Sequence, residues 1–490
     1  MLSKLNHKTI YAMWVIGGLY ILPLIAINSP YYDDIGRSVY GYFSWGIDGR
    51  PLSDLIFWIL DIGGPATNIA PFPQIICILI LTSLCYLLHL QFNPQHKLGW
   101  LIFTPIFLSP FFVQNIAFQF DSVTMAFSVL FACVPVFMAN KGWLKLFLSS
   151  AICITLSLCF YQASLSAFIG VICIYVIFEL NNETDPLKLL SAVSAAVIGM
   201  GVGYTIYAML VVPTFVTSDY ANGYNQRIEG LADLAKNIEM TVTVLRGLLS
   251  GLTGVIYLTI FAFSLAGGLC LAFRILKKSN HFFKKIINLV LLALSIIVML
   301  ICIPGPGIAL KSMPIGPRVF IGFGFFMSGM LAMSSFIWKD KVHRTNFLSI
   351  ILCIVSFSFI ATFSNATKSQ DKLTEKIISE ISLEIYNVGF EKIKTVTIDG
   401  QMLYTPVAQK AIAKYPLLRQ LIPVYFNGSL AWGVVKMTEY YIGYPQPPLD
   451  RQNEIIANIC NMKELSNGGL YKTYFKDGDL VISFSFRKCH

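Results

Sequence analysis

The chain has 490 residues, 56% of them hydrophobic and only 13% charged, with a formal net charge of +10. A typical soluble domain is roughly 25% charged. No soluble globular fold hides this much apolar surface, so the composition points to a polytopic helical membrane protein. The excess of positive charge lies in short loops between apolar runs, where it sets topology, and this argues against nucleic-acid binding.

In chain order, a basic start leads into the apolar run 10–27, which lacks an A-x-A cleavage site and reads as an uncleaved signal-anchor. Further runs long enough to span a bilayer occur at 71–90, 98–117, 122–140, 144–161, 163–180, 188–212, 247–273, 286–303, 318–338 and 347–364, giving about 11 spans. Segment 52–62 reads as a re-entrant or interfacial helix, and 144–180 as a hairpin turning at Tyr161-Gln162. With the N-terminus inside, the cytoplasmic loops carry about twice the Lys and Arg of the opposite loops, as the positive-inside rule requires. The long polar loops 28–70, 213–246 and 304–317 then face outward, and an odd number of spans puts the tail outside as well.

The composition becomes ordinary from about residue 366. Asp371–Tyr386 has helical periodicity, Lys392–Ile398 alternates as a strand, and Tyr471–Phe486 reads as a hairpin turning at Asp477-Gly478. The expected organisation is a membrane domain over 1–365, with its first periplasmic loop at 28–70, and a periplasmic α+β domain over 366–490. Of eleven cysteines, only Cys460 and Cys489 lie outside apolar segments; an oxidising compartment makes them a candidate disulfide. No Cys/His spacing suggests a metal site.

The first external loop concentrates the chemistry. Asp33 and Asp34 precede Arg37, and a second acid–arginine pair, Asp48 and Arg50, follows. Charged groups cost several kcal/mol in hydrocarbon, so this cluster must face water or a protein cavity. A carboxylate near the membrane surface suits removal of a proton from an attacking hydroxyl, which makes Asp33 and Asp34 candidate catalytic residues. Their bland alternative is an N-cap pair opening a helix at Ile35. Arg37, Arg50 and Arg318 offer planar donor forks suited to phosphate, or else ordinary partners for acids and lipid headgroups. Asn115 and Asp121 form a polar patch between two spans, and Tyr161 and Gln162 sit at the tip of the next hairpin. Tyr31 and its aromatic neighbours can stack on sugar faces or form an interfacial belt. No Walker loop, GxSxG elbow or dinucleotide fingerprint is present, and no cytoplasmic loop is large enough for a nucleotide sugar, so a lipid-linked donor is expected.

Tyr31-Tyr32-Asp33-Asp34-Ile35-Gly36-Arg37, followed by Trp45-Gly46-Ile47-Asp48-Gly49-Arg50-Pro51-Leu52, resembles the first external loop of the GtrII-type O-antigen glucosyltransferases. Gln114–Ser122 and Phe160–Ser164 resemble two further stretches of that family, which commonly carries an acid and an arginine where this chain has Gln114 and Gln119. The resemblance implies a GT-C-like bacterial inner-membrane enzyme that moves a sugar, usually glucose, from undecaprenyl phosphate to O-antigen repeat units at the periplasmic face, altering lipopolysaccharide serotype. It places the base at Asp33 or Asp34; the residues themselves suggest the donor phosphate at Arg37 with Arg50 or Arg318, and sugar or acceptor contacts at Tyr31, Asp48, Asn115, Asp121, Tyr161 and Gln162. No cofactor is required; a divalent metal on the Asp pair is left open. The implied partners are the lipid-linked donor, the O-antigen acceptor, membrane lipids, a small flippase and a cytoplasmic carrier-loading glucosyltransferase. A flippase for lipid-linked saccharides is the alternative, and would call for charges deep within the spans and for inverted repeats, neither of which is evident. An O-antigen polymerase would use a larger late external loop.

Overall fold

The structure is a computed structural model describing residues 7–92, 98–224, 226–278, 281–314, 316–337 and 343–485. The chain forms two compact units. The first comprises residues 1–26, 43–64 and 69–361; the second comprises 27–42, 65–68 and 362–490.

The first unit is helical. Among the described residues, eight helices of the chain are long and apolar enough to cross a bilayer: His7–Ile27, Phe72–Phe92, Ser122–Lys141, Gln162–Asn181, Pro186–Phe215, Gly251–Lys277, Phe282–Ile301 and Asn346–Val388. The other three expected spans are shorter or broken. Residues 98–117 divide into a 3-10 turn at Gly99–Phe103 and helices Pro105–Leu108 and Phe112–Ala117. Pro105 and Pro110 lack the amide hydrogens a continuous helix needs, and the irregular backbone is tolerated because residues 99–126 are buried in protein. Trp143–Leu158 has 16 residues and Gly322–Ser335 has 14. The expected hairpin at 144–180 is present, its helices joined through the 3-10 turn Gln162–Ser164. Segment 52–62 contains the ten-residue helix Pro51–Leu60.

One close helix pairing bears directly on the site. Gly199 and Gly203, four residues apart on Pro186–Ile206, bring that helix against Trp143–Leu158. A Cβ at either position would lie 2.6 Å from the Phe147 carbonyl oxygen or 2.5 Å from that of Ala151. Small residues at this spacing let membrane helices approach backbone to backbone. Thr155 locks the crossing with a hydrogen bond to the Gly203 carbonyl (3.0 Å). The same helix then passes into a π-helical turn at Tyr207–Val211.

The second unit is α+β. A sheet of β1 (Thr395–Asp399), β2 (Lys463–Asn467), β3 (Lys472–Lys476) and β4 (Asp479–Ser483) has the order β1-β4-β3-β2, with β1 parallel to β4 and the other pairs antiparallel. The β3–β4 hairpin turns at Asp477-Gly478, both at positive φ (54° and 97°), as a two-residue turn matched to strand twist requires. The helix His343–Val388 contributes Ile377, Ile378, Ile381 and Ile385, whose spacing makes one apolar face packed on Val396, Ile398, Leu480 and Ile482. Cys460 is exposed and disulfide-bonded; Cys489, its expected partner, lies outside the described residues.

Candidate functional site

Within the first unit the site grows from the turn at residues 45–50. Gly46–Asp48 is a 3-10 turn. Both carboxylate oxygens of Asp54, in the first turn of Pro51–Leu60, accept its leading amides, from Trp45 at 2.9 Å and Gly46 at 2.6 Å. The buried Trp45 indole donates to Asp121 Oδ1 at 2.7 Å. Gly49 reverses the chain at φ +79°, and a Cβ there would fall 2.5 Å from the Tyr207 hydroxyl, so this position requires glycine on both counts. Pro51 then starts the helix at a position where its missing N–H costs nothing.

Gln162 and Tyr207 clamp this turn. Gln162 Nε2 donates to the Asp48 carbonyl (3.0 Å) and to the Tyr207 hydroxyl (2.8 Å), and its Oε1 accepts from Arg50 Nε (3.1 Å). Tyr207 donates onward to the Gly49 carbonyl at 3.0 Å. The Arg50 guanidinium lies 4.8 Å above the Tyr161 ring. Its two terminal nitrogens have no protein partner among the described residues, and Arg50 lines a cavity of about 230 Å³. On the far side of the turn the Ile47 carbonyl accepts from the Thr217 and Ser218 amides. Ser218 Oγ donates to Asp48 Oδ1 at 2.5 Å and accepts the Ala221 amide at 3.0 Å.

Five of the expected site residues thus line one cavity: Asp48, Arg50, Tyr161, Gln162 and Arg318. Arg318 is fixed by its amide, which donates to Gln114 Oε1 at 2.8 Å, and its guanidinium rests 5.0 Å from the Phe118 ring centroid. Gln114 therefore has a structural task here. Apolar walls from Leu158, Val212 and Pro304 complete the cavity. Asn115 and Asp121 are buried in the same unit. Among the described residues, neither side-chain polar atom of Asn115 has a hydrogen-bond partner, nor does Asp121 Oδ2.

The second unit holds Tyr31, Asp33, Asp34 and Arg37. Asp33–Tyr40 is a helix, and Asp34, fully buried, accepts the Tyr31 amide on Oδ2 at 2.9 Å. The helix begins at Asp33 with Tyr32 at its N-cap and no side-chain cap, so the expected N-cap pair opening a helix at Ile35 does not form; Asp34 instead fastens the residue ahead of the cap. Tyr31 donates its hydroxyl to the Leu421 carbonyl (2.6 Å), and Tyr425 donates to the Pro30 carbonyl (2.7 Å). Burial pushes the Tyr32 phenol up to about 12. Arg37 donates to the Tyr42 carbonyl at 3.4 Å and lies 5.2 Å above the Tyr42 ring. Asp33 is half-buried.

Sequence reasoning missed Tyr207, Ser218 and Asp54. The first two stand in an apolar span and an unremarkable loop, and nothing local in the sequence links them to residues 45–50. Asp54 carried a usable signal, an acid three residues after Pro51 in the opening turn of a helix.

A family model described as "Glucosyl transferase GtrII" matches residues 22–329, covering the turn, the clamp and Arg318. The chain is also 30% identical over 428 residues to a protein of Salmonella phage P22, described as an uncharacterised 55.3 kDa protein in the gtrB 5′ region; the match covers 86% of this chain and 87% of that protein. No solved structure matches. With more than half of its length, including the Asp48–Arg50 turn, inside the matched region, the chain belongs to the GtrII glucosyltransferase family.

Proposed function

We propose that this protein transfers a glucosyl group from undecaprenyl phosphate to O-antigen repeat units at the periplasmic face of a bacterial inner membrane, with the N-terminus cytoplasmic and the 366–490 region periplasmic. The observation that carries the reading is the Arg50 guanidinium, held by Gln162 and Tyr161 in the lining of an otherwise largely apolar cavity. A planar pair of donors in a place poor in water suits a phosphate, and apolar walls suit the first isoprene units of its lipid. Arg318 lines the same cavity and adds a second positive charge.

In the reaction, an acceptor hydroxyl attacks the sugar C1 as the bond from C1 to the phosphate oxygen breaks. The leaving phosphate gains negative charge, which arginines stabilise as it develops. No cofactor enters. The acid that receives the hydroxyl proton comes from the first external loop, where Asp33, Asp34 and Asp48 are the candidates. Asn115, Asp121, Tyr161 and Gln162 are proposed to surround sugar and acceptor, Gln162 by holding the Asp48–Arg50 turn. The donor would be supplied by a cytoplasmic carrier-loading glucosyltransferase and a small flippase.

The test is sugar transfer in membranes containing this protein, supplied with undecaprenyl-phosphoglucose and lipid-linked O-antigen. Transfer by wild type that falls at least 100-fold in Arg50→Ala is the expected result. Folded wild type that transfers from no lipid-linked sugar would refute the reading in favour of a flippase; lengthening of O-antigen chains without glucosylation would point to a polymerase.

A further inference from the structure

We propose that Asp48 is the catalytic base of this site, an assignment that rests on the transferase reading above. Asp48 and Arg50 are two residues apart, line one cavity, and form no ion pair with each other. A carboxylate and a guanidinium this close in sequence ordinarily neutralise each other where geometry permits. Here each is held by neutral groups instead: Arg50 by the Gln162 amide and the Tyr161 ring, Asp48 by the Ser218 hydroxyl. The cavity therefore keeps a cation for a leaving phosphate and a carboxylate for an incoming hydroxyl, separate and both available.

The hydrogen-bond directions make Asp48 an acceptor on both sides. Ser218 Oγ already accepts the Ala221 amide, so its own hydrogen points to Asp48 Oδ1. Asp48 Oδ2 has no partner among the described residues. The backbone behind it is rigid, with the Asp48 carbonyl held by Gln162 and the Gly49 carbonyl by Tyr207. Of the other carboxylates near this turn, Asp54 accepts two amides with both oxygens, and Asp121 is buried, holds the Trp45 indole and does not line the cavity. In the second unit, Asp34 has no exposed surface and holds the Tyr31 amide.

In the step assigned to Asp48, the acceptor oxygen forms its bond to C1 while its proton passes to Asp48 Oδ2. The electron pair of the breaking C1–O bond leaves with the phosphate beside Arg50. Asp48 is then a neutral acid and returns its proton to water. A single displacement of this kind inverts the anomeric centre. Ser218 is a positioning residue: its hydrogen bond fixes the carboxylate with Oδ1 turned to the hydroxyl.

The experiment uses the full chain in lipid nanodiscs, with undecaprenyl-phosphoglucose as donor and lipid-linked O-antigen as acceptor. Wild type, Asp48→Asn, Asp48→Glu and Ser218→Ala are compared for kcat, KM, donor affinity and product anomer. Asp48→Asn should lower kcat by about 10²–10⁴-fold while donor affinity stays within about threefold, and Asp48→Glu should recover part of the rate. Ser218→Ala should lower kcat about tenfold with KM within about threefold, and Ser218→Thr should restore the rate, a split and a rescue that mere loosening of the fold would not produce. The assignment is overturned by Asp48→Asn retaining kcat within tenfold, by a matching loss of donor affinity, or by a product of retained configuration. Inactivity of folded wild type would instead strike the transferase reading itself, and the assignment with it.

Discussion

Asp33-Asp34-Ile35-Gly36-Arg37 and Asp48-Gly49-Arg50 have the same ingredients, acids shortly before an arginine, and lie in one loop of the sequence. Their fates differ. In the first, Asp34 is wholly buried in the opening turn of a helix and holds the Tyr31 amide, and Arg37 lies over Tyr42 and donates to its carbonyl. In the second, glycine breaks any helix, and the acid and arginine are held apart by Ser218 and Gln162 in the lining of a cavity. A charged pair serves architecture when its own helix satisfies it. It becomes available for chemistry when neutral partners from distant segments hold it open.

The largest expected effect comes from removing the second unit's share of this contrast. Truncation after Phe363 deletes Leu421 and Tyr425, the partners of Tyr31 and of the Pro30 carbonyl. The truncated chain should insert into membranes and show no detectable transfer; full activity would prove the second unit dispensable. Arg50→Ala comes next, with an expected loss of about 10²–10³-fold in kcat/KM, and Arg50→Lys should restore little because an ammonium lacks the planar fork. Weak dependence on Arg50 would erase the distinction between the two pairs.

Gly49→Ala probes the turn itself. A left-handed conformation costs a non-glycine residue about 1–2 kcal/mol, and the added methyl meets the Tyr207 hydroxyl. We expect roughly a 30-fold fall in kcat/KM at normal expression level, and a near-wild-type rate would show that the turn tolerates rearrangement. Tyr207→Phe removes one neutral hydrogen bond to the Gly49 carbonyl and one acceptor for Gln162, each about 1 kcal/mol. Its transfer rate should drop roughly fivefold to tenfold, and combining it with Gly49→Ala should add less than the two single effects, because both act on one clamp. The smallest effect is expected at Asp34→Ala. Losing the hydrogen bond to the Tyr31 amide should cost the second unit about 1 kcal/mol, read as roughly fivefold faster amide hydrogen exchange at Tyr31. Unchanged exchange would deny Asp34 its architectural role.

Much of the architecture was legible because it follows from local composition. Eight of the expected spans appear as helices long enough to cross a bilayer, since an apolar run of that length has few other ways to satisfy its backbone. Segment 98–117 departs from this because prolines interrupt it and surrounding protein, rather than lipid, shelters its backbone. The β3–β4 hairpin was legible from Asp477-Gly478 alone. The candidate site was legible in part. Asp48, Arg50, Tyr161, Gln162 and Arg318 were named from residue type and position, but the emphasis fell on the Asp33-Asp34 pair, which has the stronger local signal.

By itself, then, the sequence determined the membrane class, eight of the spanning helices, three of the tail's four strands and the family to which the chain belongs. These depend on composition and short-range pattern, which survive without knowledge of what packs where. Only the tertiary structure decided which charges are available. The clamp on residues 45–50 joins Gln162, Tyr207 and Ser218, more than a hundred residues away along the chain. Whether a carboxylate ends as a buried anchor or as an open acceptor depends on partners that folding delivers, and hydrogen bonds between such distant segments leave no periodicity to read.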